Sequence, residues 1–286
     1  MTPHQSVTSG VVQDGQDPHR PLAHPDNSKR ATLSVVSHGQ GDLVVRLLAD
    51  LLRQTISESL EIVVTLNLVD EAIDLEPFGA LDLKIIRNEE PAGFGQNHNQ
   101  ALARAKTPWV LIVNPDIRIV DETLIERLLI GSSHADLGLR APLVFNSNGD
   151  REDSIRRNID IFSITRRVLS RRKEIIDPDA GNRRFFWVAG MFMALPARAW
   201  REVGGFDERY FLYCEDYDLC ARLAVKGYRM EVDMDLTVVH DARRASRKSL
   251  RHLRMHVLSM LQVWTSPFSW KIWLADRRAK AGLGVR

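Results

Sequence analysis

Residues 214–222 read Cys-Glu-Asp-Tyr-Asp-Leu-Cys-Ala-Arg and place three carboxylates, Glu215, Asp216 and Asp218, within four positions. A carboxylate can act as a general base toward a hydroxyl group. Leu219, Cys220, Leu223 and Ala224 recur at helical spacing, so the acids fall in a first helical turn, where free backbone N–H groups favour negative charge. The block therefore reads either as a candidate catalytic base or as helix-start chemistry in which Asp218 pairs with Arg222 at i,i+4.

Three further constellations stand at the ends of expected elements, where open α/β sheets hold their ligands. Asn114-Pro115-Asp116 follows the apolar run Trp109–Val113, and a carboxylate there could hold a divalent cation that bridges two phosphates. The same tripeptide also suits a type I turn. Pro91-Ala92-Gly93-Phe94-Gly95-Gln96-Asn97-His98-Asn99 lies between a strand and a helix. Its glycines permit close backbone approach, its amides suit ribose or base edges, and the helix start suits phosphate. It is neither a dinucleotide fingerprint nor a phosphate-binding P-loop. His240 ends the run Val238-Val239-His240-Asp241, ahead of Arg243-Arg244-Ala245-Ser246-Arg247-Lys248. The imidazole could complete a metal site and the basic loop could clamp a diphosphate; a lone strand-end histidine is otherwise structural.

The elements that must position these groups alternate. Strands are expected at 33–37, 61–66, 83–86, 109–113 and 139–145, with helices near 43–52, 97–105 and 122–130. Such alternation implies right-handed crossovers and a mostly parallel sheet. Trp187–Met193 reads as one more strand, followed by a helix over Pro196–Val203. Residues 150–184 form a basic, weakly periodic segment, either a solvated loop or an insertion facing an acceptor. Residues 1–30 read as a flexible leader, 31–245 as the α/β domain with halves meeting near 120, and 246–286 as a helical extension.

The chain has 286 residues, 39 Lys or Arg against 37 Asp or Glu, and a net charge of +2. That balance argues against a nucleic-acid partner. The two cysteines, Cys214 and Cys220, are too far apart along one helix for a disulfide, which fits a reducing, cytosolic compartment. No run approaches the roughly 20 apolar residues that span a bilayer. Cations nevertheless gather after residue 242. Arg251, Arg254, Lys271, Arg277, Arg278 and Lys280 interleave with Val257, Leu258, Leu261, Trp264, Phe268, Trp270, Ile272 and Trp273. This composition suits an amphipathic segment on the inner face of a membrane, or aromatics that finish the core beneath solvated cations.

Taken in order and spacing, these blocks resemble the family 2 inverting glycosyltransferases of GT-A fold, especially the bacterial rhamnosyltransferase-like branch that builds surface polysaccharides. The resemblance runs from about Leu33 to Arg254 and rests on Ser34–Gln40, Gly93–Ala101, Asn114–Asp116, Gly204–Asp207, Glu215–Arg222 and His240. It implies a Rossmann-like sheet flanked by helices, a nucleotide diphosphate sugar donor, a saccharide or lipid-linked acceptor, and a divalent cation, Mg²⁺ or Mn²⁺. It further implies Asp216, with Glu215 as the alternative, as the base, and Asp116 with His240 as metal ligands. Ser37, Asn67, Gly93, Asn97, Asn99, Asn114, Gly190 and Arg247 become donor-binding candidates, with Gly190 under the sugar and Asn99 facing the nucleotide. Two departures stand out. Asn114 replaces the first acid of the family's Asp-x-Asp, and Asn67 stands where many relatives carry an acid that contacts uracil. A nucleotidyltransferase and an inactive nucleotide-sugar-binding scaffold remain the alternatives; the first lacks its cationic loop near Ser37–Gly41, and the second would have lost Asp116 or Asp216.

Overall fold

The computed structural model describes residues 28–130, 134–158, 176, 184–241 and 250–280. The first half alternates: β1 (Ala31–Ser37), α1 (Gly41–Leu52), β2 (Leu60–Leu66), β3 (Asp82–Arg87), α2 (Phe94–Leu102), β4 (Trp109–Val113), β5 (Ile117–Arg118), α3 (Leu124–Ile130) and β6 (Leu137–Asn146). The second half contains β7 (Ile155–Arg157), β8 (Phe186–Val188), β9 (Phe192–Pro196), α4 (Ala197–Val203), α5 (Glu215–Val225), β10 (Arg229–His240), α6 (Leu250–Thr265) and α7 (Pro267–Lys280).

Eight strands form one sheet in the order β3-β2-β1-β4-β9-β6-β10-β5. β1 lies parallel to both β2 and β4, and β2 lies parallel to β3. Their near-continuous Val, Leu and Ile content follows from burial on both faces. β9 runs antiparallel to its neighbours β4 and β6, and β10 returns parallel to β6. One core packs α1 and α3 against the sheet, through Leu47, Leu51, Leu124 and Leu128 among others. A second core on the opposite face takes Trp200 of α4, Leu219 and Leu223 of α5, and Val263 and Ile272 of α6 and α7. The expected mostly parallel α/β sheet with flanking helices is therefore the observed one.

Local differences have physical causes. The stretch expected as one strand over 187–193 is two, because the chain turns at Ala189–Gly190. β8 joins β7 in a separate two-stranded sheet, and only β9 enters the large one. α2 starts at Phe94, three residues before the expected Asn97, since Gly93 in an extended conformation serves as its N-cap. Cys214 and Cys220 are buried free thiols. Among the described residues no helix is long and apolar enough to cross a membrane. The C-terminal helices finish the core with one face, through Val263 and Ile272, while Leu253, Val257, Leu258, Leu261, Trp270 and Leu274 remain at least half exposed.

Candidate active site

Sheet topology brings the candidates to one edge. Parallel β1 and β4 end at Ser37 and Val113, so the residues that follow them emerge on the same side. Antiparallel β9 begins on that side, and the Asn114 N–H donates to Met191 O at 2.9 Å. β10 finishes there too, and the short antiparallel pairing of His240 with Ile117 sets His240 beside Asp116.

Two carboxylates flank His240. Its Nε2 lies 3.1 Å from Asp116 Oδ2, and its Nδ1 lies 3.1 Å from Glu152 Oε2. Burial opposes protonation of the ring, yet Asp116 and Glu152 outweigh it and raise the pKa. Asp116 Oδ1 is buried and accepts no hydrogen bond among the described residues. An orphaned carboxylate oxygen beside an imidazole is a donor set that fits Mg²⁺ or Mn²⁺. The described residues hold no group of three or more acids, histidines or cysteines arranged around a metal, so further ligands would have to come from phosphate and water. Asn114 offers no second carboxylate to this pair.

The acidic helix start lies across β9. Tyr213 and Cys214 both adopt left-handed backbone conformations, at φ 76° and 68°, and this double turn launches α5. Asp216 Oδ2 accepts the Gly190 N–H at 3.1 Å and its Oδ1 accepts that of Tyr217 at 2.8 Å. Gly190 thereby ties the helix start to the β8–β9 turn. A Cβ there would stand 3.3 Å from the Phe94 ring and 3.7 Å from Asp216 Cβ. Burial raises the pKa of Asp216, opposed by the charge of Arg156 and by those backbone donors. Arg156 is held over the Trp187 ring, 4.9 Å from its centroid. Glu215 differs: it is 6% exposed, its Oε2 has no partner among the described residues, and burial together with the Asp216 charge drives its pKa well up. Asp218 is structural. Its Oδ2 takes Arg222 Nε at 2.6 Å, and Arg222 Nη1 also donates to the carbonyls of Val203 and Gly205.

The glycine loop is built differently from the expectation. Asn67 does not present its amide outward: Oδ1 accepts from Asn88 and from Ala92 N at 2.8 Å, and Nδ2 donates to Ala92 O at 3.0 Å. Asn97 is fully buried and donates to Ala92 O and Gly93 O. Both amides hold the loop in shape. The Asn99 amide is likewise engaged within the chain. It accepts Phe206 N at 2.9 Å and donates to Phe206 O at 2.9 Å and Glu208 at 3.0 Å, locking the turn before α5. Gly93 permits the approach of chain, since a Cβ would meet Phe211 O at 2.8 Å. His98 is buried against Ser34 Oγ at 2.8 Å, and burial pushes its pKa down to about 3, so it stays neutral. Ser37 is buried and donates to Glu71, whose other oxygen accepts Gly39 N at 3.1 Å. Arg247 lies outside the described residues.

Sequence reasoning missed four groups: Glu71 and Asn88, which shape the two loops, Glu152, which buttresses His240, and Arg156, beside the acidic helix start. Each meets its partner across a long stretch of chain, as with the 88 residues between Glu152 and His240. Only the clustering of arginines in 150–184 hinted at Arg156.

The family model described as "Glycosyltransferase like family 2" matches residues 29–256. The chain belongs to glycosyltransferase family 2. Within it, the chain is 28% identical over 240 residues to rhamnosyltransferase WbbL of Escherichia coli K12, covering 79% of this chain and 89% of that protein. It is 26% identical to the N-acetylglucosaminyl-diphospho-decaprenol L-rhamnosyltransferase of Mycobacterium tuberculosis, spanning 57% of this chain and 60% of that relative's length. Among solved structures, the Pyrobaculum calidifontis mannosyltransferase PcManGT, in complex with GDP-Man and Mn²⁺, aligns with TM-score 0.57 at 18% identity, covering 94% of this chain and 80% of that one. Staphylococcus aureus TarS 1–349 aligns with TM-score 0.55 at 17% identity, covering 87% and 71%. These neighbours share the GT-A fold, and this family 2 member is a glycosyltransferase.

Proposed function

We propose that the chain is an inverting rhamnosyltransferase of surface polysaccharide synthesis, which transfers an L-rhamnosyl residue from a deoxythymidine diphosphate donor to a saccharide or lipid-linked saccharide. The observation that carries this reading is the carboxylate of half-buried Asp216, hydrogen-bonded to Gly190 N at 3.1 Å, on the sheet edge that holds Asp116 and His240. Inversion needs one displacement, with a base on the face opposite the leaving group. The acceptor oxygen forms its bond to the anomeric carbon as the bond from that carbon to the diphosphate oxygen breaks. The hydroxyl proton passes to Asp216, and the bonding pair leaves with the nucleoside diphosphate. Glu215, buried with its Oε2 unpaired among the described residues, supports Asp216 as the base in preference to its neighbour.

Asp116 and His240 would hold the divalent cation, which when bound would neutralise charge on the departing diphosphate. Glu152 orients His240 for that role. Gly190 leaves room for the donor sugar beside Phe94 and Asp216. Ser37, Asn114 and the loop shaped by Asn67, Asn97 and Gly93 bound the nucleotide, and Arg247 clamps the diphosphate. The names of the rhamnosyltransferase relatives support the donor sugar, and the decaprenol relative supports a lipid-linked acceptor. The exposed apolar face of α6 and α7, with Arg254, Lys271, Arg277 and Arg278, would seat the enzyme on an anionic membrane surface.

A thermal-shift panel of nucleotide sugars with Mg²⁺ or Mn²⁺ tests the reading. A ligand at one hundred times its Kd stabilises the folded state by about 2.7 kcal/mol. dTDP-rhamnose with a cation is expected to raise the Tm most. Asp216→Asn should keep that shift and lose transfer, whereas Asp116→Ala should lose the cation-dependent part of the shift. Turnover by Asp216→Asn at the wild-type rate would transfer the base role to Glu215; a larger shift with another nucleotide sugar would replace the donor.

A further inference from the structure

The inner face of α6 and the segment before the acidic helix start are joined by a set of contacts that the transfer chemistry leaves unused. The segment before Glu215 carries the two left-handed residues Tyr213 and Cys214. Side chains of that type hold such a conformation only when neighbours impose it. Part of that restraint is the seam with α2, where Phe94 N–H donates to Phe211 O at 2.9 Å, and the rest of the segment is held from one face of α6. The His256 ring stacks on Tyr213, with centroids 4.1 Å apart and planes 4° from parallel. Ser259 Oγ donates to Leu212 O at 2.9 Å, Gln262 Nε2 donates to Arg209 O at 3.1 Å, and the Cys214 thiol contacts Met260 Sδ at 3.8 Å.

At 3.6 residues per turn, Leu253, Val257, Leu261 and Trp264 form a stripe on the other side of the same helix, with Leu258 beside it. All five are exposed, from 37% to 61%. Trp270 Nε1 donates to Trp264 O at 2.9 Å, which continues the stripe onto α7 through Trp270 and Leu274. Exposed Arg254, Lys271, Arg277 and Arg278 share these two helices. An apolar stripe among cations complements a bilayer carrying anionic headgroups.

We infer that α6 is the positioning element of the catalytic turn: an anionic bilayer bound to the outer stripe fixes the helix, and His256, Ser259 and Gln262 pass that restraint to residues 209–214 and so to Asp216. This rests on the membrane-surface reading proposed above and adds a consequence that binding alone does not require. His256, Ser259 and Gln262 are positioning residues; none is assigned to the substrate. The enzyme is then most ordered at its base when it sits where a lipid-linked acceptor is found.

Hydrogen–deuterium exchange on the full chain, with co-sedimentation of phosphatidylglycerol–phosphatidylcholine vesicles, tests the coupling without a donor or acceptor. Anionic vesicles are expected to sediment the protein and slow exchange of the 209–216 amides by about fivefold. Leu258→Asp should abolish both effects and leave exchange without vesicles unchanged. Ser259→Ala should sediment normally without the slowing. Since Ser259 is buried, Gln262→Ala, at a more exposed position, serves as the second variant and should reproduce the uncoupling. Sedimentation with no slowing at 209–216 would overturn the coupling alone. Absence of sedimentation would overturn the membrane reading and the coupling with it, and equal slowing by pure phosphatidylcholine would overturn the anionic partner.

Discussion

Asp216 and Glu215 are consecutive, yet their surroundings divide them. Both have raised pKa values through burial, but Asp216 is held by the backbone donors of Gly190 and Tyr217 and faced by a cation, Arg156, whereas the charge beside Glu215 is that of Asp216. A base must be ionised to accept a proton, so kcat/KM should rise with pH through the Asp216 pKa, and that acid limb should lie above the ordinary carboxylate value of 3.8. Arg156 favours the charged form, opposing burial. Arg156→Ala should therefore raise the pKa further and move the acid limb to higher pH, while Arg156→Lys should leave it near the wild-type position. A pH–rate profile with an unmoved limb in Arg156→Ala would detach Arg156 from the base. The acidic pair was legible in the sequence, because first-turn acids ahead of Leu219 and Leu223 carry a local pattern. Arg156 was not, since its place beside Asp216 depends on β7 pairing with β8.

At the scale of elements, the position of the glycine loop is local in origin and its packing is not. Its placement between β3 and α2 follows from local periodicity, and so does the exact-length strand Trp109–Val113. What the glycines face does not. Gly93 lies against the backbone of Phe211, and Gly95 lies against Phe206, both in the segment that leads to α5. The Phe94 N–H donates to Phe211 O at 2.9 Å, so α2 and the catalytic turn share a seam. A Cβ on Gly93 would stand 2.8 Å from Phe211 O and 3.1 Å from Phe211 Cα, and backbone atoms cannot swing aside as a side chain can. Gly93→Ala should cost about 1–3 kcal/mol by overpacking. It should also lower kcat at a temperature where the variant remains folded, because relief of the clash moves residues 211–214. Denaturant melts beside initial rates check this; lost stability with unchanged kcat would confine the seam to folding. Asn88 was missed for the same reason: it meets Asn67 and Asn97 only after three elements have packed, and no spacing announces such a network.

At the scale of the molecule, α6 and α7 serve two masters that composition could not separate. Aromatic and cationic residues alternate there, and both core completion and a bilayer-facing surface fit that mixture. The fold divides them by face. Ile272 is 5% exposed in the second core, while Leu274, two positions on, is 50% exposed. Ile272→Ala removes packed atoms beneath α5 and should cost about 2–5 kcal/mol. Leu274→Ala leaves the core intact and should change stability by no more than about 0.5 kcal/mol. Vesicle binding should respond in the opposite order: Leu274→Ala weakens sedimentation by anionic vesicles, and added salt weakens it further by screening the neighbouring cations. Ile272→Ala, measured below its own Tm, should sediment like the wild type. Paired thermal melts and vesicle titrations therefore separate the two faces. A Leu274→Ala protein that keeps its full vesicle affinity, alongside a similarly silent Trp270→Ser, would return the exposed stripe to ordinary surface and leave the helices with their structural role alone.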